Sequence, residues 1–144
     1  MEDFVNFEVA KKLKEKGFSC KYPFAMYDED GDFYPLFTSC DEDEDSKCIF
    51  GNRMYYDYDD FLKDEDARIA PTISQVLKWL REEKLILIGL LPMQEYDCNE
   101  IIEWCCTIFM ADKQGGLSLQ EEFYYQSYEQ SALVGIEYVL DNLI

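Results

Sequence analysis

The sequence predicts an α+β fold in which helices pack on one face of a mainly antiparallel sheet. Three observations carry that expectation. Thr72 to Lys84 and Ser127 to Leu143 repeat apolar residues at helical spacing behind capping residues. Between them, Leu85 to Leu91, Ile101 to Met110 and Leu117 to Tyr125 read as strands, which makes the C-terminal order α-β-β-β-α. Hydrophobic residues make up 48% of the chain and aromatics 16%, too rich for a disordered polymer even at a net charge of −18. At 144 residues the chain has the size of one domain, so a single domain over 1–144 is expected.

Phe7 to Lys16 is the first predicted helix, with Asn6 as its cap, lysines at 11, 12, 14 and 16 loading the later turns and Gly17 stopping it. Cys20 to Tyr27 and Phe33 to Thr38 flank Asp28-Glu29-Asp30-Gly31-Asp32, which is turn chemistry, so a β-hairpin is expected. Residues 28–66 then hold fifteen Asp or Glu against Lys47, Arg53 and Lys63, a net of −12 and two thirds of the charge of the chain. Asp41-Glu42-Asp43-Glu44-Asp45 is expected to be a solvated loop, and Cys48 to Tyr58 another strand.

Thr72 and Gln75 form a capping-box pattern after Pro71, and Ile73, Val76, Leu77 and Leu80 supply the apolar stripe of helix 72–84. Leu85 to Leu91 is continuously apolar and reads as a buried strand, the stretch to Met93 being interrupted by Pro92 and about half a membrane span in length. Along Ile101 to Met110 the alternation places Ile102, Trp104, Cys106 and Ile108 on one face. Gly115-Gly116 makes the turn into the last strand. Ser127 and Gln130 form a second capping-box pattern, followed by the stripe Ala132, Leu133, Ile136, Val139, Leu140 and Leu143. Gly135 inside that stripe costs up to about 1 kcal/mol relative to alanine, which points to another backbone passing close by. Leu77, Leu80, Trp104, Ile136 and Leu140 are expected to share one core.

The N-terminal residues are acidic where a signal peptide needs a basic head, and the six cysteines lie in no export context. A cytoplasmic protein with reduced thiols and no membrane association is therefore expected. Cys105 and Cys106, as strand neighbours, should point to opposite faces.

The runs Ala-Pro-Thr-Ile-Ser-Gln-Val-Leu-Lys-Trp-Leu-Arg-Glu from Ala70, Ile-Glu-Trp at 102–104, Tyr-Gln-Ser-Tyr-Glu-Gln-Ser-Ala-Leu at 125–133 and Phe-Glu-Val-Ala-Lys-Lys-Leu-Lys-Glu-Lys-Gly-Phe at 7–18 resemble a group of small uncharacterised proteins of gut Bacteroidetes and their phages or mobile elements. The resemblance implies an origin and a fold, and its motifs are caps and core positions. The order from 72 to 143 also resembles a double-stranded-RNA-binding domain, but no lysine follows Tyr128 where that domain presents its phosphate-binding cluster.

No histidine is present, which removes the commonest general base and metal ligand and lowers the expectation of an enzyme. None of the cysteines lies in a C-x-x-C motif or a glycine-rich turn that would lower its pKa. Asp28, Asp30 and Asp32 alternate as in a calcium loop, but Gly31 is fourth and Ser39 twelfth where that loop needs glycine sixth and glutamate twelfth. No cofactor or metal is expected. The candidate partner-binding residues are Tyr55, Tyr56, Asp57, Tyr58, Asp59, Asp60, Asp64 and Asp66, since tyrosines supply rigid contact area and the carboxylates would steer a basic protein. Their bland alternative is a half-buried strand with a solvated edge. The expected function is a non-enzymatic protein–protein interaction, as an acidic accessory protein of the phage or mobile-element type. A nucleic-acid mimic, or an enzyme built on carboxylates or a bound metal, are the alternatives. Direct nucleic-acid binding is not expected of so acidic a chain.

Overall fold

The computed structural model describes residues 3–20, 23–38, 48–50, 53–55, 63–94 and 100–144, with the backbone alone at 36–38, 48–50, 53–55 and 102. The α+β class is as the sequence predicts. The chain divides into two compact units, Phe4–Pro71 and Thr72–Ile144 with Met1–Asp3.

In the first unit α1 (Phe7–Glu15) begins at Asn6, whose side chain accepts from Val9 N at 2.9 Å, and gives way at Gly17, φ +80°. Its buried stripe is Val9, Ala10 and Leu13. The predicted hairpin is present: β1 (Ala25–Tyr27) pairs antiparallel with β2 (Phe33–Thr38), Tyr27 opposite Phe33. One strand over 48–58 is not what forms. Cys48–Phe50 (β3) and Arg53–Tyr55 (β4) pair with each other, Cys48 opposite Tyr55. Between them the sequence reads Gly51-Asn52, a pair with two-residue hairpin chemistry that the one-strand expectation overlooked. Residues 56–58 of that expectation, and the acidic loop 41–45, lie outside the described residues. A two-residue strand, β5 (Arg68–Ile69), lies too short for sequence pattern to reveal; it pairs with β1 and completes the order β4-β3-β2-β1-β5.

The second unit follows the predicted order closely. α2 (Ile73–Glu83) starts on a complete capping box: Thr72 Oγ1 accepts from Gln75 N at 3.2 Å, and Gln75 Oε1 accepts from Thr72 N at 3.0 Å. Its buried residues are Ile73, Val76, Trp79 and Leu80, while Leu77 is half-buried. β6 (Ile86–Gln94), β7 (Ile101–Ala111) and β8 (Leu117–Tyr125) form one antiparallel sheet in that order. Pro92 does not end β6. It stands opposite Trp104 within the strand, tolerated because β6 is an edge and its outer side needs no donor.

α3 (Tyr128–Asn142) is capped by Ser127, whose hydroxyl accepts from Gln130 N at 3.1 Å. It packs on all three strands, and α2 packs beside it against β6, so both helices cover one face. Between helices and sheet lie Ile86, Cys106, Ile108, Ala132, Ile136, Val139 and Leu140, all essentially inaccessible. Trp104 is half-buried, its ring edge-on to Tyr128 at 5.2 Å. The close approach at Gly135 is by a side chain and not by a backbone as expected: a Cβ there would sit 2.6 Å from Cys106 Sγ and 3.5 Å from Ile88 Cγ2.

Candidate functional site

Of the candidate residues, Tyr55 ends β4 and is described by its backbone alone, and Tyr56, Asp57, Tyr58, Asp59 and Asp60 lie outside the described residues. Asp64 and Asp66 are described, and they mark a fixed turn. Asp66 N donates to Asp64 Oδ1 at 3.0 Å, and Ala67 N donates to the Asp64 carbonyl at 3.2 Å. The Lys14 ammonium, from α1, donates to the carbonyls of Asp64, Glu65 and Ala67 at 2.8, 3.0 and 2.5 Å. One cation thus serves three backbone acceptors that would otherwise need water. Burial, then the nearby Arg68 guanidinium, lowers the Lys14 pKa, while Asp64, Asp66 and Glu65 pull it back up. Arg68 in turn donates to the Asp66 carbonyl at 3.0 Å and lies over the Phe7 ring, 5.7 Å from its centroid. The end of the acidic segment is therefore tied to the helix carrying the lysines. Lys11 is also engaged, 2.9 Å from Glu8 and over the Phe7 ring.

The acidic hairpin turn uses its first carboxylate internally. Asp28 Oδ1 accepts from Asp30 N at 3.0 Å and Asp32 N at 2.9 Å, and these bonds, Asp32 first, hold its carboxyl below the ordinary range. Gly31, at φ +86°, lies against the Phe7 ring, 3.0 Å from where a Cβ would stand. That is turn geometry of the kind the sequence suggests.

Sequence reasoning missed an exposed apolar face on the sheet of the second unit. With α2 and α3 on the Cys106 side, strand alternation turns Leu87, Leu91 and Met93 of β6 to the opposite side. From β7 the residues Glu103, Cys105, Thr107 and Phe109 share that side. A register shift after Ile108 brings Leu117 and Leu119 of β8 there as well, beside Glu122 and Tyr124. Leu91 and Leu117 are each 58% exposed and Leu119 54%, with Met93 and Tyr124 also exposed. The expectation that 85–91 is a buried strand is thus corrected: only Ile86 of β6 is buried, because the helices cover one side of the sheet. The signal was in the sequence as apolar residues at both parities of β6; among the described residues, the helices that pack on the sheet lie on one side of it.

One polar detail sits on this face and another beneath the helices. The Tyr124 hydroxyl donates to the Glu122 carboxylate, which raises the tyrosine pKa, and Cys105 adds to that shift. On the covered side, Ser131 Oγ donates to the Trp104 carbonyl at 3.3 Å, which satisfies a fully buried hydroxyl.

Cys105 and Cys106 point to opposite faces as predicted, and both are buried. Burial, with Cys105 beside it, pushes the Cys106 thiol from 9.0 to about 11. A raised acid pKa in the fold stabilises it fully below pH 9, and that contribution is lost as pH rises from 9 to about 11. Iodoacetamide at about pH 8 should therefore leave Cys106 unmodified in the native protein and alkylate it in urea, read by peptide mass mapping. Equal labelling in both states would contradict the buried placement.

Among the described residues no helix is long and apolar enough to cross a membrane, and no three metal-ligating side chains converge. No protein family, curated protein or solved structure matches the chain.

Proposed function

We propose that the chain is a non-enzymatic interaction protein that binds a basic protein partner. The observation that carries this reading is the exposed apolar face of the β6–β7–β8 sheet, where five large apolar or aromatic side chains stand in solvent on one side of a packed unit. Contiguous apolar exposure of that kind marks interaction surfaces in soluble proteins. The net charge of −18 supports the sign of the partner, because a negative field speeds encounter with a basic surface. An accessory role of the phage or mobile-element type is supported by the resemblance of the caps and core runs, and a cytoplasmic setting by the acidic N-terminal residues.

The test is capture by the tagged protein from its source cell, with the captured species identified by mass spectrometry and purified. The expected result is one basic protein that binds wild type directly and is lost when Leu91 and Leu119 are changed to serine. Loss of no captured protein in that variant would count against the reading.

The tyrosine- and acid-rich segment has its own place in this reading, as a steering element. Replacing Asp57, Asp59, Asp60, Asp64 and Asp66 with asparagine should slow association with the purified partner and flatten its salt dependence, while folding is kept or improved because like charges no longer repel. An unchanged on-rate and unchanged salt response in stopped-flow would reduce the segment to a solubility feature.

A further inference from the structure

We propose that the open face of the β6–β7–β8 sheet seats a cationic amphipathic helix supplied by the partner protein. This rests on the interaction reading above and names the chemistry that would satisfy it.

Size is the first argument. Three strands spaced about 4.8 Å apart give a face about 10 Å wide between outer strands, the width of one α-helix, and strands of this length, roughly 30 Å, accommodate about five helical turns. α2 and α3 already cover the other side. A helix on the open side would complete a layered arrangement with the sheet buried on both faces.

Charge selects the occupant. Residues 86–125 contain seven acids and one base, Lys113. Glu103 and Glu122 stand on the open face by register, both exposed, and the Tyr124 hydroxyl holds Glu122 beside the apolar strip. The nearby bases Lys78 and Arg81 belong to α2, on the covered side, and Lys84 caps its C-terminus. A second copy of the chain would bring another −18 toward this face, whereas a helix with lysines or arginines flanking an apolar stripe matches both its apolar centre and its acidic margin.

The experiment uses the full chain and three labelled peptides of about 18 residues: one with a leucine stripe flanked by lysines, one with the same stripe flanked by glutamates, and a scrambled leucine–lysine sequence with no stripe. Fluorescence anisotropy should show binding of the first and at least about tenfold weaker binding of the other two. Leu91→Ser with Leu119→Ser should weaken the first peptide by a similar factor, and Glu103→Gln with Glu122→Gln should lower its on-rate. Methyl NMR shifts should fall on Leu91, Leu117 and Leu119.

Equal binding of the scrambled peptide would mean charge attraction without a seat, and would overturn the proposal. So would sedimentation showing a dimer that Leu119→Ser dissociates, or binding to phosphatidylcholine vesicles lost in the same variant, since those outcomes assign the face to a second copy or to lipid. If the striped cationic peptide fails to bind while the purified cellular partner still depends on Leu91 and Leu119, the helix proposal falls and the interaction reading stands.

Discussion

Leu140→Ala is expected to lower the free energy of unfolding by about 2–5 kcal/mol. Leu140 is 1% exposed on the face of α3 that also presents Ala132, Ile136 and Val139 to the sheet. Truncation removes buried methyl groups and leaves a cavity beneath a fifteen-residue helix whose backbone is fixed by the Ser127 cap and by contacts with all three strands. The surroundings therefore have little freedom to collapse into the gap. Leu143→Ala, at a half-buried position on the same stripe, should cost clearly less. Urea melts with unchanged slopes would give both values. A loss well under about 1 kcal/mol at Leu140, or no difference between the two positions, would mean that α3 does not anchor the core as its burial implies.

The second unit was legible in the sequence because its signals are local. Thr72 and Gln75 announce α2, Ser127 announces α3, and Leu117–Tyr125 forms β8 at the boundaries its pattern gives. What local pattern cannot count is the cover. Leu87 and Leu91 read as buried because they are apolar, yet Leu87 is half-buried and Leu91 exposed, because the described helices that pack on the sheet lie on its other side. Long-range contacts were hidden for a related reason: Lys14 meets the carbonyls of Asp64, Glu65 and Ala67 across some fifty residues of sequence, so the lysine-loaded helix carries a cation committed to the acidic segment. Short elements escaped as well. β5 has two residues, and β3 and β4 have three each, below the length at which alternation declares a strand. The predicted interaction segment and the observed apolar face lie in different units, so the two features were joined in the functional reading by charge and not by position.

Gly135→Ala separates two principles that predict opposite signs at one position. Helix propensity alone favours the change by up to about 1 kcal/mol, because glycine loses more backbone freedom in a helix than alanine. Packing opposes it: the new Cβ would lie 2.6 Å from Cys106 Sγ, far inside van der Waals contact, with Ile88 Cγ2 at 3.5 Å. Cys106 cannot easily yield, since it is fully buried in the central strand of the sheet under the helix. Overpacking of this kind costs about 1–3 kcal/mol, so Gly135→Ala should destabilise the protein in spite of propensity. In a Cys106→Ala background the sulfur is gone and the added methyl occupies the space it left. There the same substitution should become neutral or stabilising, which makes the coupling between the two sites about 1–3 kcal/mol and reverses the sign of the second change. Four urea melts, of wild type, each single variant and the double variant, measure it directly. If the effects of the two substitutions simply added, the contact between α3 and β7 would not be the reason that glycine stands at position 135.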